Sequence, residues 1–107
     1  MTDTKNAQGI VTDEQLAEGL LPKYVEFRGR GRVTKYWVRH GDTIPTQLAR
    51  DLITMSYLRW AEEKGYNYGW CRAKKTFSVW HDFSTDRFEH PDPLTALYAA
   101  WKMEKER

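Results

Sequence analysis

The chain of 107 residues has a single cysteine, Cys71. One thiol closes no internal disulfide and builds no multi-cysteine zinc site, and it fits a reducing, cytoplasmic location. Long apolar runs are also missing. The longest, Ala96–Trp101, spans six residues, against about 20 needed to cross a bilayer. No membrane association is expected from it. Residues 1–8 are polar and lack the apolar stretch of a secretory leader. Neither G-x-G-x-x-G nor G-x-x-x-x-G-K-[ST] occurs, which excludes the glycine-built phosphate cradles of cofactor domains. A dominant sign of charge is absent too: 17 Lys and Arg against 15 Asp and Glu leave a formal net of only +2.

Aromatic residues, in contrast, are plentiful: five Trp, six Tyr and four Phe. A ring buries roughly 150–250 Å², so these side chains can supply much of the core of one small domain. With 40% hydrophobic and 30% charged residues, the composition is that of a folded globular domain.

Residues 1–11 read as a flexible lead-in, and residues 12–107 as a single domain. Thr12-Asp13-Glu14-Gln15 has capping-box spacing and predicts a short helix to about Glu18, closed by Gly19 and Pro22. Residues 24–28 and 33–40 then form a predicted hairpin around Gly29-Arg30-Gly31. Gly41-Asp42-Thr43-Ile44-Pro45 reads as the boundary of a long helix, with Asp42 or Thr43 as N-cap. In that helix Ala49, Leu52, Ile53, Ser56, Tyr57 and Trp60 share one face, and Gly65 ends it. Residues 68–72 and 76–83 make a second hairpin around Ala73-Lys74-Lys75, and residues 84–92 read as a polar loop. Asp92-Pro93 starts the last helix, with Leu94, Leu97, Tyr98 and Trp101 on one face.

The expected fold is therefore α+β, a short N-terminal helix followed by ββαββα. An ungapped shift of 41 residues aligns 33–66 with 74–107 and finds eight identical positions, among them Val38/Val79, His40/His81, Tyr57/Tyr98 and Trp60/Trp101. Duplication explains this, and so does the use of alike residues at alike core positions. Either way, two ββα units, about 24–65 and 66–107, are expected to share one four-stranded antiparallel sheet with helices on one face.

Charge is unevenly placed. Residues 22–40 hold six basic groups and one acid, and residues 66–80 hold Arg72, Lys74 and Lys75 without an acid. Arg28, Arg30 and Arg32 alternate with glycine on an open turn, and Lys35 and Arg39 extend the patch. Guanidinium forks suit phosphates and carboxylates alike, and a one-signed edge steers an anionic partner. Basic hairpin tips also simply keep strand edges soluble. Tyr24, Trp37 and Trp80 interleave with these strands and could stack on bases. If Phe77, Val79, His81 and Phe83 face the helices, Trp80 stands on the opposite, uncovered face as a binding anchor. Trp37, between Tyr36 and Val38, raises the same question.

Chemistry-bearing residues are few. His81 with Asp86 and His90 is the one cluster with metal-ligand types, although histidines beside turn aspartates commonly serve local hydrogen bonds. Cys71 would need a base such as His40 or His81 to act as a nucleophile, and strand cysteines are commonly inert. Neither catalysis nor a cofactor or metal is expected.

Asp82-Phe83-Ser84-Thr85-Asp86 follows a Trp-bearing strand, and Asp92-Pro93-Leu94-Thr95-Ala96-Leu97 opens the final helix. With the helix–hairpin–helix order around them, residues of about 46–105 resemble the phage ABA sandwich family of small proteins encoded by tailed bacteriophages. The resemblance implies a phage accessory protein in the host cytoplasm and carries over no activity or site residues. The expected function is non-enzymatic binding: inhibition or modulation of a host protein or defence complex through Arg28, Arg30, Arg32, Lys35, Trp37, Arg39, Arg72, Lys74, Lys75 and Trp80. The alternative is direct nucleic-acid binding by the same hairpins. Exposed strand edges also leave room for a dimer.

Overall fold

Local capping chemistry sets the helix starts. In the computed structural model, which describes residues 4–6, 9–21, 24–31 and 34–107, α1 (Asp13–Gly19) begins with the complete capping box. The Gln15 backbone N–H donates to Thr12 Oγ1 at 3.2 Å, and the Thr12 N–H to Gln15 Oε1 at 2.9 Å. At α3 (Pro93–Glu106), Asp92 caps by accepting from the Thr95 N–H at 3.2 Å, with Pro93 in the first turn. The long helix α2 (Thr46–Glu63) has no side-chain cap; its N-cap is Pro45. It ends at Lys64 and Gly65, where φ of +79° suits glycine.

The strands form two sheets. β2 (Glu26–Arg30), β3 (Thr34–Arg39) and β4 (Asp42–Ile44) make an antiparallel sheet of three. β5 (Tyr66–Cys71), β6 (Thr76–His81) and β7 (Arg87–His90) make another antiparallel run. The edge strand β1 (Thr4–Asn6) pairs with β7 in parallel, giving the order β1-β7-β6-β5.

The fold class α+β stands, and the layout is corrected. The two hairpins do not share a sheet, so the expected four-stranded ββαββα sheet is replaced by two sheets, each ending in a third antiparallel strand that the expected order lacked. Asp42-Thr43-Ile44 is strand β4, its Thr43 opposite Val38, and caps nothing. The polar loop of residues 84–92 contains β7, whose Phe88 is buried while Arg87 turns the other way. The lead-in of residues 1–11 contains β1, and Val11 is buried. Element order now repeats as βββα, but the 41-residue shift sets Thr46 of α2 opposite Arg87 of β7. The identical residues therefore do not occupy equal positions in the two helices.

The main core lies where α2 and α3 meet over the larger sheet. Leu94, Leu97, Ala100 and Trp101 of α3 cluster with Val79, Phe88 and with Ile53, Tyr57 and Ala61 of α2. Tyr57 meets Trp101 edge-on at 5.7 Å, and Trp60 stacks on Tyr66 of β5 at 5.1 Å. The smaller sheet adds Trp37, tilted against Phe27 at 4.7 Å, with Val25 and Leu16 of the α1 layer. Among the described residues, no helix is long and apolar enough to cross a membrane.

Candidate binding face

Strand alternation gives the larger sheet two unlike faces. Register places Tyr66, Tyr68 and Trp70 beside His81, Val79 and Phe77, on the face that α2 and α3 cover. The other face carries Asn67, Gly69 and Cys71 beside Trp80, Ser78 and Thr76, then Arg87 and Glu89. The expected position of Trp80 follows directly: it stands on the face turned away from the helices.

Trp80 is half-buried there, and the Arg87 guanidinium lies over its ring at 4.7 Å. Arg87 Nε is also 3.0 Å from Glu89 Oε1, an ion pair whose N–H direction misses hydrogen-bond geometry. The Glu89 side chain is only 9% exposed. Ser78 Oγ donates to it at 3.3 Å, and Lys74 Nζ sits 3.8 Å away. A buried carboxylate needs such partners, since stripping one of them leaves an uncompensated charge. Next to this group, Gly69 opposes Ser78 with nothing within 4 Å of where a Cβ would stand. The space over Gly69 is therefore open, whereas Ser78 beside it is only 2% exposed. Thr76 Oγ1, on the same face, is buried with no hydrogen-bond partner among the described residues.

The remaining site residues divide between the sheets. In the larger one, Arg72 and Lys75 are exposed at the β5–β6 turn. In the smaller one, Arg28 is tied to Glu26, its Nε donating at 2.8 Å, and Lys35 is 3.4 Å from Glu14 of α1. Arg30 is exposed and Arg39 half-buried; Arg32 lies outside the described residues. Trp37 is corrected as a contact residue: at 1% exposure it belongs to the core, because its face of β3 packs inward with Phe27 and Ile44. Tyr24 is exposed, and its hydroxyl accepts from Arg59 at 3.2 Å.

The chemical clusters weighed from sequence are not assembled. Cys71 lies on the open face, whereas His81 lies on the helix-covered face beside Tyr66, and His40 is in the turn of the other sheet. His81 Nδ1 accepts from the Phe83 N–H at 3.2 Å, and His90 Nδ1 from the Asp92 N–H at 2.9 Å. Asp86 is held by Arg107 at 2.9 Å. Among the described residues, no three His, Cys, Asp or Glu side chains converge as ligands. A surface hollow of about 410 Å³ between α2 and the start of α3 has Arg50 in its wall. That guanidinium is already engaged by Asp13 Oδ1 and the Val11 carbonyl, both at 2.6 Å.

Sequence reasoning missed Arg87, Glu89 and Ser78. The signal available was the alternation Arg87-Phe88-Glu89, one apolar residue between two charges, which marks a strand only once a partner strand is known. No protein-family model matches the chain, and no curated protein or solved structure matches it either.

Proposed function

We propose that this chain is a non-enzymatic binding protein, a phage accessory protein that occupies a surface of a host protein or defence complex in the cytoplasm and so inhibits or modulates it. The contact on this reading is the open face of β5–β7. One observation carries it: Trp80 with Arg87 laid over its ring, on a sheet face that the helices leave uncovered. Trp and Arg dominate binding energy where they can be desolvated together, and a stacked pair is held in place before the partner arrives. The host and phage parts of the reading rest on the resemblance at Asp82–Asp86 and Asp92–Leu97.

The second reading, direct nucleic-acid binding, has its own observation in the exposed cations Arg30 at the end of β2 and Arg72 and Lys75 in the β5–β6 turn. The two part on salt and on substitution. Phosphate neutralisation gives affinity that falls steeply with salt, whereas a contact centred on Trp80 persists at moderate salt. Capture from host lysate, with and without nuclease, is the test. A protein partner retained after nuclease and lost with Trp80→Ala is the expected result. Capture that vanishes with nuclease, or that tolerates Trp80→Ala but not removal of Arg30, Arg72 and Lys75, overturns it.

A further inference from the structure

The strand order leaves β5 at the edge of the larger sheet, with no described strand along its outer side. Edge strands are normally blunted by lysine, proline or inward charge. Tyr66-Asn67-Tyr68-Gly69-Trp70-Cys71 contains none of these. The helices cover two of its rings only in part: Trp70 is 52% exposed and Tyr68 36%. The adjoining side of α2 has the same character. Leu48 and Met55 are exposed on the outer stripe that ends at Glu62, and the Tyr68 hydroxyl donates to Glu62 Oε1 at 2.5 Å.

We propose that a second copy of this chain docks antiparallel along β5, about a two-fold axis at Gly69, and joins the two sheets into one of eight strands. This surface is separate from the Trp80 face. Directly opposed residues of an antiparallel ladder share a face, so Gly69 opposite Gly69 sets each Tyr68 against Trp70 of the second copy. Aromatic cross-strand pairs of this kind stabilise a ladder. An axis at Tyr68 would instead set Trp70 against Tyr66, which is less exposed than Tyr68, with its ring stacked on Trp60 and its hydroxyl bonded to Glu104 at 2.6 Å.

Charge favours the same occupant. The β5–β6 turn carries Arg72, Lys74 and Lys75 without an acid, and α2 ends in Glu62 and Glu63. In this register position 72 of one copy lies opposite position 66 of the other. Each basic turn therefore runs past the end of α2 in its neighbour, where Glu62 and Glu63 outnumber Lys64, twice by symmetry.

Sedimentation of the full chain over a range of concentrations tests the proposal. The expected species has twice the 12.7 kDa chain mass. Trp70→Lys, with unchanged far-UV dichroism, is expected to raise the dimer dissociation constant about thirtyfold or more, the size of a hot-spot loss. A chain that stays monomeric into the hundreds of micromolar overturns the proposal, as does a dimer indifferent to Trp70→Lys. The register has its own readout, because Asn67 faces Cys71 of the second copy. Asn67→Cys is expected to form a covalent dimer on mild oxidation far faster than the unsubstituted chain, and a dimer that does not cross-link overturns the register.

Discussion

Gly19 shows how tightly single positions are specified. It ends α1 against the aromatic layer of α3, and a Cβ there would stand 2.7 Å from Trp101 and 2.8 Å from Tyr98. Its carbonyl also accepts from the buried Tyr57 hydroxyl. Backbone φ is not the constraint; close approach is. Gly19→Ala is expected to cost about 1–3 kcal/mol as overpacking, read as a lower melting temperature. An unchanged midpoint would mean that α1 moves off the rings freely. The phenols set a second expectation at this scale. Burial pushes the ionisation of Tyr57 and of Tyr66 well above the ordinary tyrosine range, and the Glu104 carboxylate adds to the shift at Tyr66. A raised folded-state pKa favours the neutral form. The stability it contributes is complete below pH of about 10 and is lost as pH rises through the folded-state value. Phenolate absorbance followed beside dichroism should show these two ionising only as the fold is lost. Ionisation of every tyrosine with dichroism intact would refute this.

Elements differ in how their ends are secured, and the difference is testable. At α3 a relay runs from the Val11 N–H to Thr95 Oγ1 at 3.1 Å, and from that hydroxyl to Asp92 Oδ2 at 2.6 Å. Asp92→Ala should cost about 0.5–2 kcal/mol as a lost cap. Thr95→Val should cost about 1–3 kcal/mol by stranding the buried Val11 N–H. Thr43→Ala should shift stability by no more than about 0.5 kcal/mol, because Thr43 is an exposed β4 residue that caps nothing. Denaturant midpoints decide all three, and a large loss from Thr43→Ala would restore it as a cap. These helix starts were legible in sequence because capping is local: Thr12 with Gln15, Asp92 with Thr95. β4 and β7 were not, since three and four residues are too few to establish alternation, and β4 begins with the Asp-Thr that also starts helices. β1 finds its parallel partner some eighty positions away, beyond any local signal. The site followed the same division. Trp80 could be placed from the alternation of its own strand. Arg87 and Glu89 could not be placed without β7. The inward turn of Trp37 depends on α1 and α2 closing over β3, which no pattern within β3 states.

At the scale of the whole molecule, the two sheets are unequally supported. The chain extends over 48 × 26 × 23 Å, and α2 spans between the sheets, packing against both β3 and β5. The larger sheet is covered by α2 and α3 together, and Val79, Leu97 and Tyr57 are sealed between them. Among the described residues, the smaller sheet packs against α1 and one side of α2, and the Nε1 of its central Trp37 is buried without a hydrogen-bond partner. The ion pair between Lys35 and Glu14 that ties β3 to α1 is half-exposed on both sides and adds little. Stability is distributed in cooperative units that open at different free energies. The smaller sheet with α1 should therefore open without the rest. In native-state amide exchange, Phe27 and Val38 should exchange through a smaller opening than Val79, Phe88 and Leu97, which should need global unfolding. Adding denaturant should merge the two groups only near the midpoint. Equal protection across both sheets would mean that α2 couples them into one unit, and Trp37 would then be no weak point.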